Sequence, residues 1–453
     1  MNKLKFLIAL WTGKAVSLFC KLVKNGGTNK PGAFSVKIKK DFIRCFKNID
    51  HEKIVFITGT NGKSTTNNMV VHTLRNTGKT VISNLEGANL MGGVATAMLN
   101  GSTLFGKLKA EYMVFEVDER YLQYIYAYLP ARHICITNIQ KDQVQRNGEP
   151  DYIYQKIKAV VNEKTHLYLN NEEPRVKSLE AMSQTVTYYG MEKNNKSFEK
   201  KDFYHVTLPC PKCGNNIVFD YYNVDNIGSF RCSVCDFASG KNPDVYLTNV
   251  NFEDGTFTCN GRKFTVYNRE PFFYYNYALA IALCHEFKIS DDEIQKAFSN
   301  FKNISGRMET LKYKTKTIKY IRIKQENPET LQTAFDYISS DNSKKVFMLG
   351  LEEIKDFQPY YTNTFYSFDV DVDKLEKSNI DHYIVFSEAV AYDTANRLIY
   401  GGIDKDKITI LPNDDNDAIM NELSKYDNDN VYLITWLKKY YELEKWISQK
   451  EGN

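Results

Sequence analysis

The chain has 453 residues, 43% of them hydrophobic and 25% charged, with 59 basic against 55 acidic side chains and a net charge of +4. Such a length predicts two or three domains with cores of their own, and the composition excludes a disordered or membrane-embedded chain. The near balance of charge, with no long basic block, argues against nucleic acid as a partner while leaving room for a basic surface facing an anionic substrate or membrane. Nine cysteines, an odd number in a long chain, do not form a secreted disulfide framework, so reduced thiols and a cytoplasmic location are expected.

Residues 3–24 contain an apolar run at 6–11, but Lys14 and Lys21 interrupt it before it reaches the roughly 20 apolar residues of a spanning helix. No small-residue cleavage site follows it. Leu7, Trp11, Ala15, Leu18 and Leu22 recur at helical spacing and predict an amphipathic helix laid by that stripe against the protein body. Residues 1–45 are accordingly an N-terminal helical segment, with a loop at 25–32.

Strands are predicted at 54–58, 80–82, 112–117 and 132–138, with helical segments between them. Such alternation implies a mostly parallel, doubly wound sheet. From about 192 to 244 the composition shifts to lysine, asparagine and paired cysteines, marking an insertion, and the pattern resumes with helices at 275–286 and 291–300. Further strands at 345–349, 382–386 and 431–435 predict a second α/β domain. The domain reading is 46–310 for the central domain, with an insertion at about 205–240, and 311–453 for the C-terminal domain.

Residues 58–65 read Thr-Gly-Thr-Asn-Gly-Lys-Ser-Thr, directly between the first strand and a helix. In that setting the backbone of Gly59, Thr60, Asn61 and Gly62 and the helix N-terminus face phosphate oxygens. Lys63 then reaches the β and γ phosphates of a nucleotide such as ATP, and Ser64 or Thr65 offers a hydroxyl to Mg²⁺. Ile57 stands where the usual phosphate loop has its first glycine, so the spacing is a variant one. A metal-holding acid is expected at the end of a neighbouring strand, where Glu116 lies, followed closely by Asp118 and Glu119.

Cys210, Cys213, Cys232 and Cys235 form two CxxC pairs separated by eighteen residues, the spacing of a four-thiolate zinc ribbon. Four thiolates leave no open coordination position, so the expected Zn²⁺ is structural. The tyrosine-rich stretches at 121–128 and 272–277 are read as packing, and His133 and His285 as structural rather than catalytic.

The phosphate loop, the strand carrying Glu116, Ile-Thr-Asn at 136–138 with Lys-Asp-Gln at 141–143, and Ser-Gly-Arg-Met-Glu at 305–309 together resemble the central domain of the Mur ligase superfamily. With the ribbon inside that domain, and with stretches at 26–32, 327–328, 367–371 and 391–402, the resemblance narrows to the branch that amidates lipid II and extends over nearly the whole chain. It implies an ATP-dependent carbon–nitrogen ligase of peptidoglycan synthesis. An acyl phosphate forms on the α-carboxylate of D-isoglutamate in the stem peptide, and ammonia arrives from a GatD-type glutamine amidotransferase in a heterodimer. Peripheral contact with the inner membrane face through the substrate follows. By the same resemblance Lys63, Glu116 and Arg307 are catalytic, and Asp142, Asn276 and Arg307 join the loop in holding nucleotide.

The chain also departs from the family. Gln143 stands where most Mur ligases have a metal-binding histidine, and Phe273 replaces the first asparagine of an adenine-contacting pair, leaving Asn276. Asn363 takes the place of the aspartate thought to complete the glutaminase's Cys/His pair, with Asp369 the nearest carboxylate. Asparagine accepts a hydrogen bond from histidine but does not stabilise imidazolium by charge. Two other readings stay open: a Mur-type ligase adding an amino acid instead of ammonia, and a nucleotide-binding scaffold whose catalysis has weakened.

Overall fold

The structure is a computed structural model that describes residues 2–23, 27–85, 88–142, 149–199, 208–241, 243–301, 308–323, 327–352 and 369–451. Gln143, Arg307 and Asn363 lie outside the described residues. The chain divides into two compact units. One comprises Met1–Gln140, Glu149–Glu199 and Val206–Asn303; the other comprises Lys141–Gly148, Lys200–His205 and Ile304–Asn453. No helix among the described residues is long and apolar enough to cross a membrane.

The first unit is built on β1 (Ile54–Thr58), β2 (Val81–Ile82), β3 (Tyr112–Glu116), β4 (His133–Ile136), β5 (His166–Asn170) and β6 (Thr185–Met191). Every residue of β1, β3, β4 and β5 is buried. Strands covered on both faces read as continuous apolar runs, which is why the sequence exposes β1, β3 and β4 so plainly. The sheet runs β2-β3-β1-β4-β5-β6 in parallel, then β10 (Val245–Asn251), β11 (Thr256–Cys259) and β12 (Arg262–Thr265), the last two antiparallel. Since β1 has β3 on one side and β4 on the other, its C-terminal end is the switch point where such sheets place ligands. The helix Pro271–Glu286 is buried along most of its length, and Tyr274 and Tyr277 are core residues with no exposed surface.

The insertion folds as β7 (Leu208–Pro209), β8 (Asn216–Val224) and β9 (Ile227–Cys232), an antiparallel sheet with a small core of Leu208, Ile217, Phe230 and Phe237 beside the cysteines.

The N-terminal segment is the helix Asn2–Leu22, as its periodicity predicts, but the face expected to pack is not the face that packs. Phe6, Ala9, Leu10, Gly13, Ser17 and Cys20 are buried, whereas Trp11, Ala15, Leu18 and Leu22 are exposed and Leu7 is half-buried. The helix carries two apolar stripes. The one containing the small residues Gly13 and Ser17 approaches its neighbours, with Ser17 Oγ donating to Asn100 Oδ1 at 2.9 Å and Lys14 Nζ to the carbonyls of Leu99 and Ser102 at 2.7 and 2.8 Å.

The second unit holds a sheet ordered β13-β14-β18-β15-β16-β17, made of β13 (Met308–Tyr313), β14 (Lys316–Ile321), β15 (Lys345–Gly350), β16 (Ile380–Phe386), β17 (Ile408–Leu411) and β18 (Asn430–Ile434). All pairings are parallel except the β13–β14 hairpin. Helices Pro328–Ser340 and Ala391–Tyr400 pack in one apolar cluster, and Asn416–Leu423 and Leu437–Glu451 in another.

Candidate functional site

The loop after β1 enters the helix Lys63–Asn76 through two glycines whose backbone is left-handed, Gly59 at φ +119° and Gly62 at φ +84°. A side chain at either is strained by the backbone and also blocked. A Cβ at Gly59 would lie 2.4 Å from Thr137 Oγ1, and one at Gly62 would lie 2.4 Å from Asn276 Oδ1. Glycine is thus the residue that both the left-handed backbone and the packing behind the loop require.

The loop is laced to the segment after β4. The amide of Thr60 donates to the Asn138 carbonyl at 2.8 Å and that of Asn61 to Asn138 Oδ1 at 2.9 Å. Asn61 Nδ2 donates to Gln140 Oε1 at 2.8 Å, and the Gln140 amide donates to Thr60 Oγ1 at 2.9 Å. On the other side Thr66 Oγ1 donates to Asn276 Oδ1 at 3.2 Å. Asn276 therefore sits against the loop itself. Phe273, one turn earlier, is buried in the core.

The β1–β3 register sets Ile57 beside Glu116, so the Glu116 carboxylate arrives at the mouth of the loop. It accepts from Ser64 Oγ at 2.6 Å and from Asn89 Nδ2 at 3.1 Å, and the Asn84 side chain clasps the Glu116 backbone at both its amide and its carbonyl. A hydroxyl and a carboxylate oxygen converging there are the hard donors that Mg²⁺ takes from a protein before filling its other positions with phosphate oxygens and water, so the residues present fit the ion.

Lys63 is buried and curled back: its ammonium donates to the carbonyl of Gly59, to that of Thr60 at 3.0 Å, and to Glu119 Oε2 at 3.2 Å. Asp118 is engaged differently. Burial pushes its carboxyl up, but the Arg120 guanidinium, at 2.9 and 2.7 Å from its two oxygens, holds it below the ordinary value. The three acids at the end of β3 thus divide into one beside Ser64, one tied to Arg120 and one paired with Lys63. The sequence singled out Glu116, Asn276 and the loop. It missed Asn84, Asn89 and Gln140, because an asparagine or glutamine in a loop has no signature beyond turn preference.

Asp142 is buried and, with Asp369, belongs to the second unit, where Lys141 Nζ donates to Asp369 Oδ2 at 2.8 Å. Arg307 and Asn363 keep only the standing their sequence context gives them.

In the insertion, the sulfurs of Cys210, Cys213, Cys232 and Cys235 all lie within 4.8 Å of one another. Cys210 and Cys235 are 3.7 Å apart, and Cys213 and Cys232 3.5 Å. Tetrahedral Zn–S bonds of about 2.3 Å put sulfurs roughly 3.8 Å apart, close to these two separations, so the four thiols fit a zinc ion. Amides of Val234 and Cys235 point at Cys232 Sγ, and Asn215 Nδ2 donates to Cys213 Sγ at 3.5 Å, the kind of donor contacts that steady a thiolate ligand.

A second grouping, His133, His166 and Glu286, lies at the starts of β4 and β5, the end of the sheet away from the loop. Burial pushes both imidazoles down to about 4, and the Tyr168 hydroxyl stands 3.2 and 3.4 Å from their Nδ1 atoms. It is a packed aromatic cluster of neutral histidines.

The Mur ligase middle domain family matches residues 57–217, and the MurT ligase C-terminal family matches residues 325–437. The chain is 28% identical over 381 residues to the lipid II isoglutaminyl synthase (glutamine-hydrolyzing) subunit MurT of Staphylococcus aureus (strain COL), covering 83% of this chain and 84% of that one. It is 25% identical over 342 residues to the subunit of the same name from Streptococcus pneumoniae, with 74% of each chain covered. Among solved structures, a pseudomurein peptide ligase type C from Methanothermus fervidus superposes with a TM-score of 0.67 at 19% identity, over 91% of this chain and 81% of that one. A MurF ligase from Thermotoga maritima in complex with ADP gives 0.61 at 15%, over 92% and 85%. These two likenesses establish a Mur ligase-like α/β fold.

Proposed function

We propose that this chain, a member of the Mur ligase family with a MurT-type C-terminal domain, is the ATP-using subunit that amidates the D-isoglutamate α-carboxylate of the lipid II stem peptide. A GatD-type glutaminase supplies the ammonia. One observation carries the reading: the Ser64–Glu116 pair stands at the mouth of a glycine loop, in a chain whose C-terminal region matches the MurT family.

In this reading the amides that open the helix Lys63–Asn76 receive the β and γ phosphates of ATP. Lys63 exchanges the Gly59 and Thr60 carbonyls for phosphate oxygens. Ser64 and Glu116 would hold Mg²⁺, whose positive charge would offset the negative charge of the phosphates. A substrate carboxylate oxygen attacks the γ-phosphorus and the bond to the ADP oxygen breaks, leaving an acyl phosphate. The ammonia lone pair then attacks the acyl carbon, phosphate leaves with the bonding pair, and the nitrogen gives up a proton. ATP, carboxylate and ammonia become ADP, phosphate and amide. Arg307 and Asp142 join this site by resemblance to the family, Arg307 supplying positive charge to the transferred group. The four cysteines hold a structural Zn²⁺, and the enzyme works at the cytoplasmic membrane face, where its substrate is anchored.

In this chain coupling to the glutaminase is weakened or rearranged, since Asn363 lacks the charge of the family's aspartate and Asp369 is already ion-paired with Lys141. The test is the purified chain with ATP, Mg²⁺ and lipid II, given ammonium salts or glutamine plus a co-encoded glutaminase, the product being read by mass spectrometry. Amidated lipid II with ammonium is expected. Incorporation of an amino acid, or ATP hydrolysis indifferent to lipid II, overturns the proposal.

A further inference from the structure

The outward face of the helix Asn2–Leu22 carries the second of its two apolar stripes, and that stripe is exposed among the described residues. Leu4, Ile8, Trp11, Leu18 and Leu22 follow one another at spacings of three, four and seven, forming a single stripe, with Phe19 beside it. They are 46–74% exposed. A helix of 21 residues carries that stripe over about 30 Å. The Trp11 indole N–H donates to the Leu104 carbonyl at 2.9 Å, tying the stripe to a turn where Leu104 and Phe105 stand 62% and 67% exposed. Two segments far apart in sequence thus bring exposed apolar side chains to the same neighbourhood.

Its charge is as one-sided as its polarity. Residues 2–40 contain nine lysines and no aspartate or glutamate, leaving 50 basic against 55 acidic residues for the rest of the chain. Lys3, Lys5, Lys21, Lys30, Lys37 and Lys40 are exposed, so the positive charge is available at the surface. Aliphatic and aromatic side chains on an outward face, a tryptophan, flanking lysines and no acid make up the composition of a helix that lies in the interface of an anionic bilayer. The helix is not long and apolar enough to cross a membrane.

We propose that the helix Asn2–Leu22, with the Leu104–Phe105 turn, is a docking surface for an anionic phospholipid bilayer. The proposal rests on the reading of a membrane-anchored substrate, and it gives the chain a membrane contact of its own. The helix packs on Lys30–Ile38 and Met91–Asn100, and the latter continues the segment whose Asn89 holds Glu116. One compact unit thus carries both the exposed stripe and the nucleotide loop, so docking by the stripe would hold the site near the bilayer.

The experiment is co-sedimentation of the full chain, with and without its glutaminase partner, using vesicles of phosphatidylglycerol and phosphatidylethanolamine that contain no lipid II, against vesicles of phosphatidylcholine. Binding to the anionic vesicles is expected, weakened at least tenfold by Leu18→Glu with Leu22→Glu and by high salt. With Trp436 and Trp446 replaced by phenylalanine, the emission of Trp11 should shift to the blue on binding. Amidation of lipid II in detergent should be unchanged in the glutamate variant, while amidation in vesicles falls. A wild-type chain that stays in the supernatant overturns the proposal, as does a glutamate variant that still sediments. So does loss of the glutaminase complex or of a dimer in that variant, which assigns the stripe to a protein. Vesicle binding without amidation under any condition sinks the functional reading and leaves the lipid surface standing.

Discussion

Ser64 and Glu116, on different elements and 52 residues apart, are brought to 2.6 Å by the parallel register of β1 and β3. The contact is a hydroxyl donating to a carboxylate that Asn84 and Asn89 hold in place from the side. Glu116→Gln keeps the size and the Ser64 contact and removes the charge. The expected result is a fall in ATP turnover of at least about 100-fold, near 2.7 kcal/mol, with unchanged thermal unfolding. Raising Mg²⁺ should recover part of the loss in Ser64→Ala and none in Glu116→Gln. Full turnover in Glu116→Gln would remove the metal role.

Lys63 and Glu119 form a buried pair, their side chains 10% and 5% exposed. Removing one partner of such a pair strands a charge, which typically costs about 3–5 kcal/mol. Lys63→Met should therefore lose both stability and ATP turnover. Adding Glu119→Gln should restore most of the stability and none of the turnover, because the phosphate contact is still missing. Urea denaturation beside ATPase assays separates the two effects, and a double variant as unstable as the single one would refute the pairing.

The ribbon has a core of only a few apolar side chains, so a zinc ion held by its four cysteines would be what keeps it folded. One zinc per chain is expected by elemental analysis. After removal by chelator, the amides of β8 and β9 should exchange rapidly while those of β1, β3 and β4 stay protected. Cys213→Ser should reproduce that pattern. Unchanged protection in the metal-free chain would mean the cysteines hold nothing together.

The parts of the fold legible in the sequence were those where one physical signal decides the outcome. Continuous apolar runs gave β1, β3 and β4, because both faces of a central parallel strand are covered. The CxxC pairs gave the cysteine cluster through ligand spacing. The strand β6, with polar and half-buried residues at Thr185 and Thr187, lacks such a run and was not singled out. The N-terminal helix was legible as a helix but not as to its buried face. With apolar residues on two stripes, periodicity alone gives no reason to choose Phe6 and Leu10 over Trp11 and Leu18, and the choice fell to the small residues Gly13 and Ser17. Asn89 and Gln140 became functional neighbours only through the topology that carries their loops to β1.

Glu172 offers a pH-dependent test of how the ribbon is joined to the central sheet. It is fully enclosed, and its carboxylate accepts from the Tyr275 hydroxyl, from the Met191 amide at 3.0 Å and from Asn223 Nδ2 of β8 at 3.5 Å. Burial raises its carboxyl to about 7 against the ordinary 4.5, the three hydrogen bonds offsetting part of the rise. Between those values the folded chain binds more protons than the unfolded one, so the group's contribution to stability is present below pH 4.5 and is lost as pH rises through 7. At about 1.4 kcal/mol per unit, the loss is on the order of 3 kcal/mol. Glu172→Gln has no proton to lose. Its stability relative to the native chain should therefore rise by about that amount between pH 4.5 and 8, measured by urea denaturation. Glu173, also raised to about 7 by burial, and His133 and His166, lowered to about 4 by burial, are common to both proteins and cancel in the difference. A difference that stays flat across that range would show that Glu172 is already ionised in the folded state.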